Sequence, residues 1–184
     1  ADDETIYSYR IATAAEVISY SVNDETADFF AADITYSRTQ TRFNLIVNGE
    51  RYPVVTNLVG LYNVSNTLAA LAAVYAVGIP LEDATKAVAS LAGVTGRLEI
   101  VPGASDIGVY VDFAHSPDAM EKVLSVVREF TQGRVISVFG GAGEREHEKR
   151  PIMARICTEL SDYVVLTACD TGKEPQEQII AMML

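Results

Sequence analysis

The chain has 184 residues, 49% of them hydrophobic and 21% charged, with a formal net charge of -11. That length leaves room for two small domains, and the apolar share supports a packed core rather than a disordered segment. The excess of carboxylate excludes a broad nucleic-acid or anionic-membrane surface, so any phosphate-bearing partner must be met by local positive charge.

No apolar run approaches the roughly 20 residues that span a bilayer. The opening Ala1-Asp2-Asp3-Glu4 is acidic where a secretion signal would be basic. A cytoplasmic protein is expected. Cys157 and Cys169, the two cysteines, are not spaced as a metal knuckle and read as free thiols in a reducing compartment.

The first part of the chain reads as strands over Glu16–Tyr20, Phe29–Tyr36, Thr41–Val47 and Arg51–Thr56, rich in β-branched and aromatic residues. Asn48-Gly49 between the last two predicts a tight hairpin turn with positive φ. The Ala- and Leu-rich stretch Val64–Val77 predicts a largely buried helix that Gly78 stops. Pro80 then opens a second helix to about Leu91, with Glu82 and Asp83 in its first turn, and the two are expected to form an antiparallel pair. Gly93, Gly96, Pro102 and Gly103 break the pattern and mark residues 93–105 as the domain junction.

Beyond the junction, strand Gly108–Asp112 precedes a helix over Pro117–Phe130. Strand Val135–Phe139, a helix over Lys149–Leu160, strand Tyr163–Thr167 and a helix from Glu174 or Pro175 follow. This alternation predicts right-handed crossovers and a parallel α/β sheet. Only three strand-helix units occur before Leu184, so this second domain is expected to be incomplete.

Ligands of open parallel sheets collect beyond the carboxyl ends of the strands, which singles out three segments. In the first, Asp112-Phe113-Ala114-His115-Ser116-Pro117-Asp118, a helix N-terminus accounts for Ser116, Pro117 and Asp118 but leaves Asp112 and His115 as functional candidates. The second, Gly140-Gly141-Ala142-Gly143-Glu144-Arg145-Glu146-His147-Glu148-Lys149-Arg150, combines glycines that admit an anion close to the backbone with fixed positive charge. A solvated charged turn explains that composition equally well, and His147 reads as solvent-facing. The third is Cys169-Asp170-Thr171-Gly172-Lys173. No G-x-x-x-x-G-K-S/T phosphate loop, G-x-G-x-x-G fingerprint, nucleophile elbow or H-E-x-x-H motif occurs.

Three segments, Leu58 to Ala70, Gly93-Val94-Thr95-Gly96-Arg97-Leu98-Glu99 and Asp112 to Glu121, closely resemble the Mur ligases of peptidoglycan synthesis. Among these, the chain is most similar to the members that add the third, diamino residue of the stem peptide. Ala1-Asp2-Asp3-Glu4 also resembles a segment of that family's central domain. The resemblance implies an α/β protein. Residues 1–95 would be the end of the central ATP-binding domain, with antiparallel strands and a helix pair, and residues 96–184 the truncated start of a Rossmann-like C-terminal domain.

It further implies that Asn63 and Asn66 lie near the adenine of ATP, that Arg97 reaches ribose or phosphates, and that Asp112 contacts the ribose with His115 close by. The chemistry suits these roles: a carboxamide matches an adenine edge, a carboxylate accepts ribose hydroxyl protons, and a guanidinium forks onto phosphate. An N-cap role for Asn63 is the competing structural reading. By the same resemblance, Arg145 grips the carboxylate of the incoming amino acid, with Lys149 and Arg150 in the run after it and Asp170 and Lys173 in the third segment.

Where the family recognises meso-diaminopimelate through Asp-Asn-Pro-Arg, this chain has Asp170-Thr171-Gly172-Lys173. Loss of the bidentate arginine favours L-lysine as the added diamino acid. The reaction so implied uses ATP to phosphorylate the carboxyl end of a UDP-N-acetylmuramoyl dipeptide, after which the amine attacks the acyl phosphate. The phosphate loop and the Mg2+ ligands are expected upstream of Ala1. The 184 residues alone are therefore expected to contain no catalytic or metal-binding residue and to be inactive, and a monomer is expected. The alternatives are a folylpolyglutamate, cyanophycin or peptide-recycling ligase of the same superfamily, or a non-catalytic binding module.

Overall fold

The computed structural model describes residues 13–103 and 106–184, so the expectation for Ala1-Asp2-Asp3-Glu4 lies outside the described residues. The chain divides into two compact units, one ending at Val111 and one spanning Asp112–Leu184.

In the first unit, β1 (Tyr20–Ser21), β2 (Phe29–Tyr36), β3 (Thr41–Val47) and β4 (Glu50–Thr56) form one sheet in that order. The β3–β4 hairpin turns through Asn48 and Gly49 at φ 52° and 80°, left-handed values this pair adopts at little steric cost. That turn sets the register, with Val47 opposite Glu50 and Thr41 opposite Thr56. Alternation along β3 then buries Thr41, Phe43, Leu45 and Val47 and commits one face of the sheet to the core. Pro53, which has no N–H to give, lies on the edge strand β4.

Helix α1 (Leu61–Ala76) covers the committed face. Val64, Leu68 and Leu71 recur at helical spacing, are at most 1% exposed, and pack in one cluster with Phe29, Leu45 and Val54. At the end of α1, Gly78 takes φ 87°, and the N–H groups of Gly78 and Ile79 donate to the carbonyls of Tyr75 and Val74. The chain then turns into α2 (Leu81–Ser90), which adds Leu81 and Ala84 to the same core.

Two sequence expectations for this unit are corrected. The first strand covers Tyr20–Ser21 rather than Glu16–Tyr20, and it pairs parallel, not antiparallel, with β2. The Asp28 carboxylate accepts from both the backbone N–H and the hydroxyl of Ser19, at 2.7 and 2.6 Å, so a side chain takes the bond that would have extended the ladder. The segment Gly108–Asp112 was expected to open the parallel sheet. Its strand, β6 (Val109–Val111), instead pairs antiparallel with β5 (Glu99–Val101), Ile100 lying opposite Tyr110. Closing a short loop onto the preceding extended residues costs less chain entropy than a crossover.

The second unit contains α3 (Pro117–Phe130), β7 (Ile136–Phe139), α4 (Lys149–Leu160), β8 (Tyr163–Leu166) and α5 (Gln176–Ala181). Ser116 caps α3 by accepting from the Ala119 N–H at 3.3 Å, with Pro117 in the first turn. Strands β7 and β8 run parallel, Ile136 opposite Tyr163 and Phe139 opposite Leu166, as a strand-helix-strand crossover requires. Met120 and Leu124 of α3 pack with Met153, Ile156 and Cys157 of α4.

Because Leu68 is fully buried between α1 and the sheet, Leu68→Ala should destabilise the first unit by about 2–5 kcal/mol. Urea unfolding followed by circular dichroism checks this, and an unchanged midpoint would contradict the packing described.

Candidate functional site

In the first unit, the turn after α2 is built from backbone constraints. The Arg97 N–H donates to the Val94 carbonyl at 3.0 Å, and the Gly96 N–H donates to the Glu99 carboxylate at 2.8 Å. Gly96 takes φ 69°, and Leu98 holds φ 45° while only 5% exposed. A left-handed leucine costs on the order of 1–2 kcal/mol, so burial of its side chain holds the backbone against that strain. The exposed Arg97 of this turn lines a recess of about 410 Å³ together with Asn57, Val59, Gly93, Thr95 and Glu99 among others. That volume lies within the range of small-molecule sites, about 300–1,000 Å³.

Asn63 and Asn66 lie on α1. Asn63 does not cap the helix, because Gly60 occupies the N-cap at φ 107° and the helix begins at Leu61. Asn63 is 3% exposed and its Nδ2 donates to the carbonyl of Val59, a residue of the recess wall, at 2.8 Å. Its Oδ1 accepts from Asn66 Nδ2 at 3.3 Å, and Asn66 itself is exposed. Asn63 therefore shapes the wall, while Asn66 reaches the surface.

In the second unit, Asp112 Oδ1 accepts from the Ala114 N–H at 2.8 Å, folding the residues after β6 into a turn. His115 Nδ1 lies 3.0 Å from the Phe113 carbonyl, and its ring meets that of Phe113 edge to face with centroids 5.0 Å apart. In the tautomer that donates from Nδ1, Nε2 is left as an acceptor.

The loop after β7 and the loop after β8 are fastened together. The Gly143 N–H donates to the Asp170 carbonyl at 2.8 Å. A Cβ on Gly140 would sit 2.3 Å from the Thr167 carbonyl oxygen, and one on Gly143 would sit 1.8 Å from that of Thr171. These glycines thus admit a neighbouring protein backbone. Arg145, Asp170 and Lys173 lie exposed on the two joined loops, and Lys149 at the start of α4 pairs with Glu146 at 3.1 Å.

The central contact of this pair of loops was not anticipated from the sequence. Arg150 is 2% exposed, and its two terminal nitrogens donate to Glu174 Oε1 and Oε2 at 2.6 and 2.7 Å. It also donates to the Ala142 carbonyl at 2.9 Å, while Glu174 accepts from the Glu144 N–H at 3.1 Å. The Arg150 hydrogen bonds, against an opposing desolvation effect, hold the Glu174 carboxyl down to about 2. Arg150 is therefore engaged within the fold and is not an open anion ligand. His147, expected to face solvent, is half exposed and has Nε2 3.5 Å from Glu174 Oε1.

Cys157 is buried and its thiol is pushed up to about 11 by burial, whereas Cys169 is exposed; both are free. Among the described residues, no three His, Cys, Asp or Glu side chains converge as a metal site. Also among them, no helix is long and apolar enough to cross a membrane.

Comparison with known proteins accounts for both units. Residues 1–74 match the Mur ligase middle domain, and residues 96–184 match the Mur ligase glutamate ligase domain. The chain is 39% identical over 168 residues to UDP-N-acetylmuramoyl-L-alanyl-D-glutamate--2,6-diaminopimelate ligase of Synechocystis sp., covering 90% of this chain and 33% of that protein. It is 36% identical over 184 residues to the enzyme of the same name from Bacillus cereus, covering 100% and 37%. A solved structure of a ligase of that name superimposes with a TM-score of 0.63 at 33% identity, over 97% of this chain and 37% of that one. A middle-domain match followed by a C-terminal-domain match is the domain order of a Mur ligase, and the chain belongs to the Mur ligase family. It spans about a third of the length of the curated relatives it matches.

Two outcomes follow from the joined loops. Gly143→Ala should cost roughly 1–3 kcal/mol by forcing the two loops apart, measured by thermal or urea unfolding. The folded-state carboxyl of Glu174 lies below its ordinary 4.5, so its contribution is complete above that pH and is lost as pH falls from 4.5 toward about 2. Acid unfolding of Glu174→Gln should lack this component, and coincident wild-type and variant curves between pH 4.5 and 2 would contradict it.

Proposed function

We propose that this chain supplies the end of the middle domain and the start of the C-terminal domain of an ATP-dependent ligase. The reaction is amide-bond formation between a diamino acid and UDP-N-acetylmuramoyl-L-Ala-D-Glu in cytoplasmic peptidoglycan synthesis, carried out by a monomeric enzyme. The supporting observation is the ordered match to both Mur domains over nearly the whole chain, together with relatives named for that reaction. Residues 1–95 and 96–184 are the proposed domain shares.

In this reading, Asn66, Arg97, Asp112 and His115 contact the nucleotide, and Asn63 acts with them by fixing the wall at Val59. ATP supplies the phosphoryl group that activates the acceptor carboxylate. This chain contributes positive charge at Arg97, hydroxyl acceptance at Asp112 and an imidazole acceptor at His115. The recess beside Arg97 suits a nucleoside portion in volume and mixes apolar walls with the carboxamide of Asn57. Mg2+ is assigned to residues outside this chain.

The amino acid is assigned to Arg145, Lys149, Asp170 and Lys173 on the two joined loops. Arg145 holds its α-carboxylate. Lys173 replaces the arginine that would grip a second carboxylate bidentately, which favours L-lysine. The names of the relatives support 2,6-diaminopimelate as the second reading, for which Lys173 offers only a point charge.

Two measurements on the intact ligase carrying this segment test the assignment. Arg97→Ala should raise KM for ATP by about tenfold or more, as expected on removing a charge-assisted hydrogen bond, with KM for the amino acid unchanged. Competition between L-lysine and meso-diaminopimelate should favour lysine in kcat/KM, and Lys173→Arg should move the ratio toward diaminopimelate. Absence of ligation with either amino acid and the UDP-linked dipeptide would sink the function itself.

A further inference from the structure

The residues just assigned to the amino acid lie on two loops that are far apart in sequence and have no regular secondary structure of their own. Arg145 lies in the segment between β7 and α4, and Asp170 and Lys173 lie between β8 and α5. The first loop has the backbone freedom of a glycine-rich connection, and the second is an exposed connection with one glycine, Gly172. A binding site needs its polar groups held within about half an ångström of the productive geometry, so something must remove that freedom.

The structure contains one device suited to the task. Arg150 reaches from the first turn of α4 to Glu174 at the end of the second loop, with both carboxylate oxygens engaged at 2.6 and 2.7 Å. The same guanidinium donates to the Ala142 carbonyl of the first loop, and the same carboxylate accepts from the Glu144 N–H next to Arg145. Gly143 completes the seam by donating to the Asp170 carbonyl. Every bond of this set therefore crosses or braces the seam between Arg145 on one side and Asp170 and Lys173 on the other. The pair is 2% and 11% exposed in its side chains, so water screens it little. A bidentate fork also fixes orientation as well as distance.

We infer that Arg150 and Glu174 are positioning residues that fasten the two strand-end loops into one rigid amino-acid site without touching the amino acid. The inference rests on the functional reading above for the identity of the ligand, but the fastening itself is a property of this chain. Arg150 in the Lys-Arg run accordingly contributes geometry rather than charge to the substrate. The short reach of the substitution Arg150→Lys, which can make one contact but not two, should loosen the seam without leaving a buried charge unpaired.

The experiment has two arms that fail separately. In the first, amide hydrogen exchange is measured on the 184-residue chain itself. Glu174→Gln and Arg150→Lys should each speed exchange at the Gly143 and Glu144 amides by about tenfold, the loss expected for one charged hydrogen bond. The Val135 amide, which donates to the Asp162 carboxylate, should not change. Unchanged exchange at Gly143 and Glu144, or a uniform rise that includes Val135, overturns the fastening whatever the protein's activity.

In the second arm, the intact ligase carrying this segment is assayed. Both variants should raise KM for the diamino acid by about tenfold, with KM for ATP and kcat at saturating amino acid within about twofold of wild type. Arg150→Met should be worse than Arg150→Lys, and adding Glu174→Gln to Arg150→Met should cost little more, because the pair acts as one unit. A rise in KM for ATP of the same size, or additive effects of the two substitutions, would refute the positioning role. A wild-type enzyme that ligates no diamino acid would instead count against the functional reading, with the exchange arm still deciding the fastening.

Discussion

A guanidinium and a carboxylate, each taken almost out of water, organise the chemically significant end of the second unit. Burying either charge alone would be costly, so Arg150 and Glu174 stay buried as a bidentate pair, with Arg150 also donating to the Ala142 carbonyl and the Met182 sulfur and Glu174 accepting from the Glu144 N–H. That requirement couples two loops that local sequence leaves free. The glycines at 140 and 143 belong to the same constraint, since any side chain there would collide with the carbonyls of Thr167 and Thr171 and hold the ion pair apart. The composition of the first loop therefore follows from the neighbour it must accept.

A related logic operates in the first unit at smaller scale. The recess beside Arg97 depends on a leucine held at positive φ by its own burial, and on an asparagine whose carboxamide secures the carbonyl of Val59. Asn57 adds a further tie by donating to the Leu91 carbonyl at 2.7 Å, joining the connection before α1 to the residues after α2. Polar residues near a candidate nucleotide site thus divide into those that build the wall and those that face the open space. Asn63 belongs to the first group and the exposed Asn66 to the second.

The division matters for reading Mur-type sequences. An asparagine or arginine in a motif invites a ligand role, yet Asn63 and Arg150 both have their donors directed into the fold. Their effect on function passes through the positions of other residues, a distinction that separates kinetic constants more clearly than it separates overall activity.

Much of the architecture could be read directly from residue order. The hairpin followed from Asn48-Gly49, whose positive φ is a local preference. The bounds of α3 followed from Ser116 and Pro117, because capping is settled within a few residues. The alternation of strands and helices from Gly108 onward indicated a parallel sheet, which β7 and β8 realise and β6 does not. Residue order also singles out candidate residues at strand ends, since topology directs ligands there.

What tertiary structure alone decided were contacts between residues distant in sequence. Arg150 and Glu174 are 24 positions apart; Arg150 sits in a run of charges that reads equally well as solvated surface, and Glu174 reads only as the start of a helix. Strand β6 turned back onto β5 because a nearby extended segment offered unpaired backbone, an option that side-chain pattern does not encode. Sequence determined the elements and the kinds of chemistry available, because propensity and capping act over a turn or two. Which charges were withdrawn from water, and which loops they joined, depended on packing, because desolvation is set by everything that surrounds a group rather than by its neighbours in the chain.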